Sequence, residues 1–377
     1  MSFRAIATVL FPFSLLASPF SAAHGQTVTL PLTASEWTAT DTIKFEPFLG
    51  RPAVYINSGV AMSRSANFRN GTIDFDIAAN DKSSNMGIAF RAQRTDMSEV
   101  VFFRADAANS NEAMQYAPAI NAIPAMWQLF HGDGATASVD VPRNKWFHVR
   151  IRVRGDSAAV FVHDNPNPSV VVPHLALGGA GTGIALWGSG FGQGVYYSNI
   201  SYTPDNTPYA IEAVPYARGT IMAWQLSPAF DGATLTPGKL PALAAMKWEA
   251  VQAEAPGWVI INRYRKSPNI VAPQLKDSVL HDRFAGSKVV YARTIIDAPA
   301  ARMQLMHFGY SDNVVIYCNG QPIFQGINAS YFRDRDLGLF NPLGDAVYLP
   351  LRKGRNEIVF AVTEFFGGWA FSARLGE

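Results

Sequence analysis

Between Trp146 and Arg154 the chain alternates strictly. Phe147, Val149, Ile151 and Val153 are apolar, and His148, Arg150, Arg152 and Arg154 are polar. Successive side chains of a strand leave opposite faces, so this stretch predicts a half-buried strand with a wet, basic outer side. Gly155-Asp156 supplies a turn, and residues 159–162 the returning partner. A glycine-dense run from Gly178 to Gly194 carries the short apolar segment 184–187, and 195–202 closes the unit. Upstream, residues 53–56, 71–77, 87–91, 100–104 and 127–130 read as further strands, with turn residues and no helical period between them. Short strands without intervening helices predict an antiparallel sandwich.

Pro204, Pro208 and Pro215 then punctuate a stretch without a clear period, and 205–218 reads as a linker. A second set of strands follows. Residues 221–226 open it, 289–296 alternate, and 314–318 meet 321–324 through Asn319-Gly320, a two-residue hairpin turn. Residues 346–349 and 356–362 flank another turn at Lys353-Gly354, and 241–245 predict one short helical turn. A chain of 377 residues exceeds one ordinary core. The expected fold is all-β, with two antiparallel β-sandwich (jelly-roll) domains in tandem at 26–204 and 219–377.

Charge and composition narrow the function. A net charge of +2 with 16% charged residues argues against a nucleic-acid partner. Arg4, the apolar run 5–16 and the small residues Ser21-Ala22-Ala23 form a secretory leader over 1–25. The mature chain is expected to start at His24 or Gln26 and to be exported, to the periplasm or beyond the cell. No later stretch approaches ~20 uninterrupted apolar residues, so no transmembrane segment is expected after cleavage. Cys318 is the single cysteine, which forbids an intramolecular disulfide; its strand context predicts a buried, inert thiol.

The segments FRNGTIDFDI, GIAFRA, FFRADAANSNEAMQYAP, MWQLFHG, WFHVRIRVRGDSAAVFV and GTGIALWG followed by YYSNISY carry a resemblance. Over 27–202 the chain resembles exported bacterial members of the concanavalin A-like, laminin-G-like sandwich superfamily. From 219 onward, YARTIID, FGYSDNVVIYCNGQPIFQG, LPLRKGRNEIVFAV and FGGWAF resemble the galactose-binding-like jelly roll, an accessory domain of exported glycoside hydrolases. The first superfamily includes lectins, adhesive modules and glucanases, so the resemblance implies a carbohydrate or cell-surface ligand and leaves catalysis open.

Glucanases of that superfamily carry E-x-D-x-x-E on one strand. Here Asp74 and Asp76 share a strand face, but Ala79 stands where the second glutamate would be, which removes the acid/base. Asp74 and Asp76 are therefore catalytic candidates only under a hydrolase reading; the competing reading is a polar sheet face paired with neighbours such as Arg91. The glycine run lacks the helix that a phosphate loop needs, and the histidines show no zinc spacing. No cofactor is expected, with a structural calcium in the loop from Asp106 to Asn111 as the one exception weighed against a solvated loop.

Sugars present apolar C–H faces and hydroxyl rims, so their sites join an aromatic ring to planar hydrogen-bonding groups. Arg91, Arg104, Gln115, Tyr116, Trp127 and His131 supply such a set, with both guanidinium groups expected on the face opposite Phe90 and Phe103. A second candidate site is Arg333 and Asp334 with Trp369. The sequence thus predicts an exported, non-catalytic carbohydrate- or surface-binding protein. The alternative is a sugar hydrolase of glycosidase or keto-disaccharide type acting in the first sandwich.

Overall fold

The computed structural model describes residues 25–122, 125–188, 194–209, 213–236, 238–268, 286–329 and 338–376. The leader, apart from Gly25, and the pair Arg333 and Asp334 lie outside the described residues. Every ladder between strands is antiparallel, and the all-β tandem of sandwiches is what the chain forms. No helix among the described residues is long and apolar enough to cross a membrane.

In the first sandwich, one sheet has the order Val170–Val172, Ser157–Val162, Phe147–Arg154, Gly71–Ala79, Val195–Pro204, Arg51–Ile56, Ile43–Phe48, with Val28–Thr29 also on Val195–Pro204. The facing sheet runs Thr136–Ala137, Met114–Tyr116, Met97–Arg104, Asn85–Arg94, Gly183–Gly188, Gly59–Ser63, Trp37–Ala39, with Ala119–Ile120 beside Met97–Arg104. The alternation in Phe147–Arg154 holds position by position: Phe147, Val149, Ile151 and Val153 are buried, and Arg152 and Arg154 are exposed. Ile73, Phe75, Ile88, Phe90 and Phe103 fill the space between the sheets. Arg154 pairs with Ser157 across Gly155-Asp156, the expected turn.

The second sandwich sets a seven-stranded sheet against a four-stranded one. The larger has the order Glu249–Gln252, Ala223–Leu226, Lys288–Ala298, Gly354–Glu364, Asn313–Cys318, Gln321–Ile327, and Phe230–Asp231 joins Lys288–Ala298. The smaller runs Trp258–Ile260, Ala370–Leu375, Arg302–Ser311, Asp345–Leu351. Trp224 meets Phe371 edge-on at 4.7 Å in the core, with Phe308, Phe360 and Trp369 around them. The outer face of the larger sheet is also covered, Tyr291, Val315 and Tyr317 packing beneath Leu243, Met246 and Trp248. Burial on both faces explains the unbroken apolar run that contains Cys318, whose thiol is buried and raised in pKa by desolvation. Asn319 and Gly320 both take positive φ, 50° and 80°, as a two-residue hairpin turn requires.

One expected strand is absent. Residues 127–130 form successive turns, with Met126 N–H donating to Pro118 O and Leu129 N–H to Met126 O. The apolar side chains here do not alternate toward one core; they divide between two. Trp127 and Phe130 pack on the outer face of the second sheet, over Val60, Phe102, Ala185 and Trp187, and Phe130 also touches the cluster at the seam. Met126 and Leu129 pack instead with Ile260, Phe340 and Ala370 of the second sandwich. Main-chain bonds fix the join: Gln128 N–H donates to Gly367 O at 3.0 Å, and Phe340 N–H to Gln128 O at 2.9 Å. Asn121 Nδ2 also donates to Asn262 O at 2.7 Å. The two sandwiches have separate main cores but share this third apolar cluster, so the seam is packed, not merely strapped.

Candidate functional site

The six residues expected to form a polar ligand face do not form one. Arg91 is 1% exposed. The ladder between Asn85–Arg94 and Met97–Arg104 slips after Phe90, and Arg91 sits in this bulge at φ 48°. A bulge breaks the alternation of side chains, so the inference that Phe90 inward means Arg91 outward fails. Its guanidinium turns in at the end of the sandwich, donating to Arg69 O and Asn70 Oδ1 at 2.7 Å and to Gly155 O at 2.5 Å.

Arg104 lies over the Phe102 ring at 4.7 Å and donates to Glu112 O at 2.8 Å and Gln115 Oε1 at 2.6 Å. Gln115, fully buried, passes the link on through Nε2 to the carbonyls of Trp127 at 2.7 Å and Phe130 at 2.5 Å. His131 Nε2 shares a hydrogen bond with Phe340 O at 2.8 Å, across the seam. Trp127, half-buried, meets Phe366 at 5.7 Å. Arg104, Gln115, Trp127 and His131 thus hold the turn segment that docks the second sandwich. The Arg104 and Gln115 donors are satisfied within the protein rather than offered to a ligand.

Tyr116 is buried and donates to Glu99 Oε2 at 2.7 Å, while its hydroxyl accepts from Ala176 N at 3.0 Å. Glu99 also accepts from Leu177 N at 2.7 Å. Burial raises the Glu99 carboxyl, opposed by these donors and by the nearby Arg91 charge. Trp369 is fully buried core, its indole N–H donating to Val362 O at 3.3 Å.

Asp74 and Asp76 do sit on one outward sheet face, but Arg91 is not their partner. His148 lies between them, with Nδ1 2.9 Å from Asp76 and Nε2 3.1 Å from Asp74. Arg150 Nε donates to Asp74 at 2.6 Å, and Arg51 and Asn199 each donate to Asp76 at 2.6 Å. The two carboxylates raise His148 to about 9, so it is protonated at neutral pH, and both aspartates are lowered despite partial burial. Ala79, buried three residues on, occupies the position of the last carboxyl in the E-x-D-x-x-E pattern, so that group is missing from this strand.

The loop from Asp106 to Asn111 makes local bonds, Ser84 Oγ to Asp106 at 3.3 Å and Ser110 Oγ to Ala107 O at 2.7 Å. Among the described residues, no group of three or more His, Cys, Asp and Glu side chains converges as a metal site.

Where the sandwiches meet, a cleft of about 480 Å³ opens beside the docking segment. Phe130 and Trp258 form its aromatic wall, ring centroids 5.9 Å apart, and Phe340 backs Trp258 at 5.1 Å. His131, His174, Asp156 and Glu254 supply the polar side. His174 Nδ1 is 3.0 Å from Asp156, and Arg263 holds Glu254 through both oxygens, at 2.6 and 2.5 Å. The same guanidinium donates to Ala176 O at 2.7 Å, tying this wall to the first sandwich. Of the described residues read from sequence as ligand contacts, the cleft takes in Tyr116 and His131 only. Trp258, Phe130, His174 and Glu254 were missed. The signal for the first was present in Pro256-Gly257-Trp258, a turn that presents an aromatic ring.

No protein-family model matches this sequence, and no curated protein matches it. Solved structures with a likeness include the carbohydrate binding module CBM66 from Bacillus subtilis, at 14% identity, 44% of this chain, 95% of that one and a TM-score of 0.32. The exoplasmic/lumenal domain of VIP36 in a Ca2+/Man3GlcNAc-bound form gives 9%, 50%, 90% and 0.34, and the Caenorhabditis elegans galectin LEC-6 gives 13%, 44%, 98% and 0.27. Likenesses of this size carry no argument about the ligand or activity of this chain.

Proposed function

We propose that this is an exported, non-catalytic carbohydrate-binding protein that takes a sugar in the cleft between its two sandwiches. The observation that carries the reading is the cleft's composition: an aromatic wall of Phe130 and Trp258 faces imidazoles and carboxylates across about 480 Å³. An aromatic ring suits the C–H face of a sugar, and the polar side suits its hydroxyl rim. Hydrolysis requires one carboxyl held protonated beside one ionised. Glu254 is clamped by Arg263 through both oxygens and Asp156 is paired with His174, which favours binding over hydrolysis.

A glycan array on the mature protein, with a released-sugar assay on each hit, tests this. Trp258→Ala is expected to weaken binding of a hit by about tenfold or more. Because Trp258 also packs at the seam, His174→Ala at the exposed rim is the second variant, expected to weaken binding with the melting temperature unchanged. Binding untouched by both substitutions places the sugar elsewhere, and sugar release by the wild type overturns the non-catalytic reading.

A further inference from the structure

The second sheet of the first sandwich has its outer face covered by the docking segment, whereas the first sheet leaves its outer face open. On that face Phe147–Arg154 presents His148, Arg150, Arg152 and Arg154 in a row. Alternate residues of a strand are separated by ~6.7 Å, so the four cations span about 20 Å. Two depressions lie along this row, of about 590 and 120 Å³, and both are lined by Arg150 and Arg152.

The row keeps its charge. Asp74 and Asp76 neutralise part of it and Asp164 and Asp205 line the depressions, so with Arg51 included five cations stand against four carboxylates. Arg152 is exposed, with its guanidinium carbon 4.7 Å from the centroid of the Phe161 ring, a contact that restrains the side chain on this face. Among the described residues neither Arg152 nor Arg154 forms an ion pair. Arg150 uses only Nε on Asp74, so its two terminal nitrogens remain for another acceptor.

We propose that this row is a second binding site, for a linear acidic polysaccharide carrying carboxylate or sulfate groups. The inference rests on the carbohydrate reading above but on a different face. A row of planar donors matches repeated anions along an extended chain. The depressions also hold acidic groups, which are hydrogen-bond acceptors. Asp74 receives both of its donors on Oδ1, leaving Oδ2 toward the larger depression, and Asp205 and Asp164 stand at the ends. These carboxylates accept sugar hydroxyls while the arginines take the anions, so a ligand bearing both groups satisfies the whole surface.

Native affinity electrophoresis in gels containing polygalacturonate, dextran sulfate or neutral dextran tests the proposal, with single-stranded DNA as a fourth probe. The wild-type protein is expected to be retarded by at least one of the two acidic glycans, less so as salt rises, and not by neutral dextran. Which acidic glycan retards it distinguishes carboxylate from sulfate recognition. The double variant Arg150→Ala/Arg152→Ala is expected to lose affinity tenfold or more. Arg152→Glu, which touches no ion pair, is expected to do the same without lowering the melting temperature. Trp258→Ala is expected to bind acidic glycans as the wild type does, which separates this site from the cleft. Equal retardation of wild type and Arg152→Glu, no retardation by either acidic glycan, or DNA bound as tightly as the glycans would each overturn it.

Discussion

Asp312 lies across from Glu364, one step beyond the Asn313–Thr363 pair, with both side chains fully buried. Each carboxyl accepts a main-chain N–H, from Phe365 at 2.8 Å and Gly368 at 3.0 Å, while Asp312 Oδ1 and Glu364 Oε2 have no hydrogen-bond partner. Desolvation raises both acids, and each disfavours ionisation of the other. In the unfolded chain they ionise near pH 4. The folded state therefore binds more protons above that pH, and stability falls as pH rises until the pair ionises. Glu364→Gln is expected to raise the melting temperature at pH 8 and to flatten its decline between pH 5 and 8, read by calorimetry. A steeper decline in the variant would contradict this account.

At the seam, Gly367 sits at φ 91°, and a Cβ there would overlap the Gln128 side chain. Gly367→Ala therefore brings both backbone strain and a clash at the docking contact. Expect destabilisation of about 1–3 kcal/mol and faster proteolytic cleavage within 205–218. Unchanged cleavage would show that the seam does not depend on this close approach.

His148 gives a second pH signature. Its folded pKa of about 9 lies above the ordinary 6.5, so its pairing stabilises fully below 6.5 and the contribution fades as pH rises to about 9. With the site partly open to solvent, the contribution is about 1–2 kcal/mol. Asp76→Asn is expected to lower the NMR-measured pKa of His148 and to remove part of this dependence, Asp74 retaining the rest. A His148 pKa left near 9 would assign the effect to Asp74 alone.

Cys318, buried between Ile316 and the Asn319-Gly320 turn, is expected to react with a thiol reagent only on the timescale of unfolding. Rapid labelling of the native protein would show that the hairpin opens locally.

Strand-level structure was legible where the signal is local. Alternation located Phe147–Arg154 and its buried face, and Asn319-Gly320 located a hairpin, because period and turn chemistry act over neighbouring residues. Arg91 was misplaced because a single bulged residue shifts the phase, and nothing in Phe90-Arg91-Ala92 announces it. Residues 127–130 look strand-like by composition, but their apolar side chains serve two surfaces remote in sequence. The cleft was illegible for the same reason: its walls come from 116–176 and 254–260, and only docking brings them together.

The docking segment answers to two masters at once. A substitution at Met126 or Leu129 reaches the cluster shared with the second sandwich, and one at Trp127 or Phe130 strips the outer face of the first and also loses a ring contact across the seam. Neither half can be exchanged for a foreign module without rewriting this segment. A gene fragment ending in the linker would yield a first half with Met126 and Leu129 bared to water, and so prone to clump.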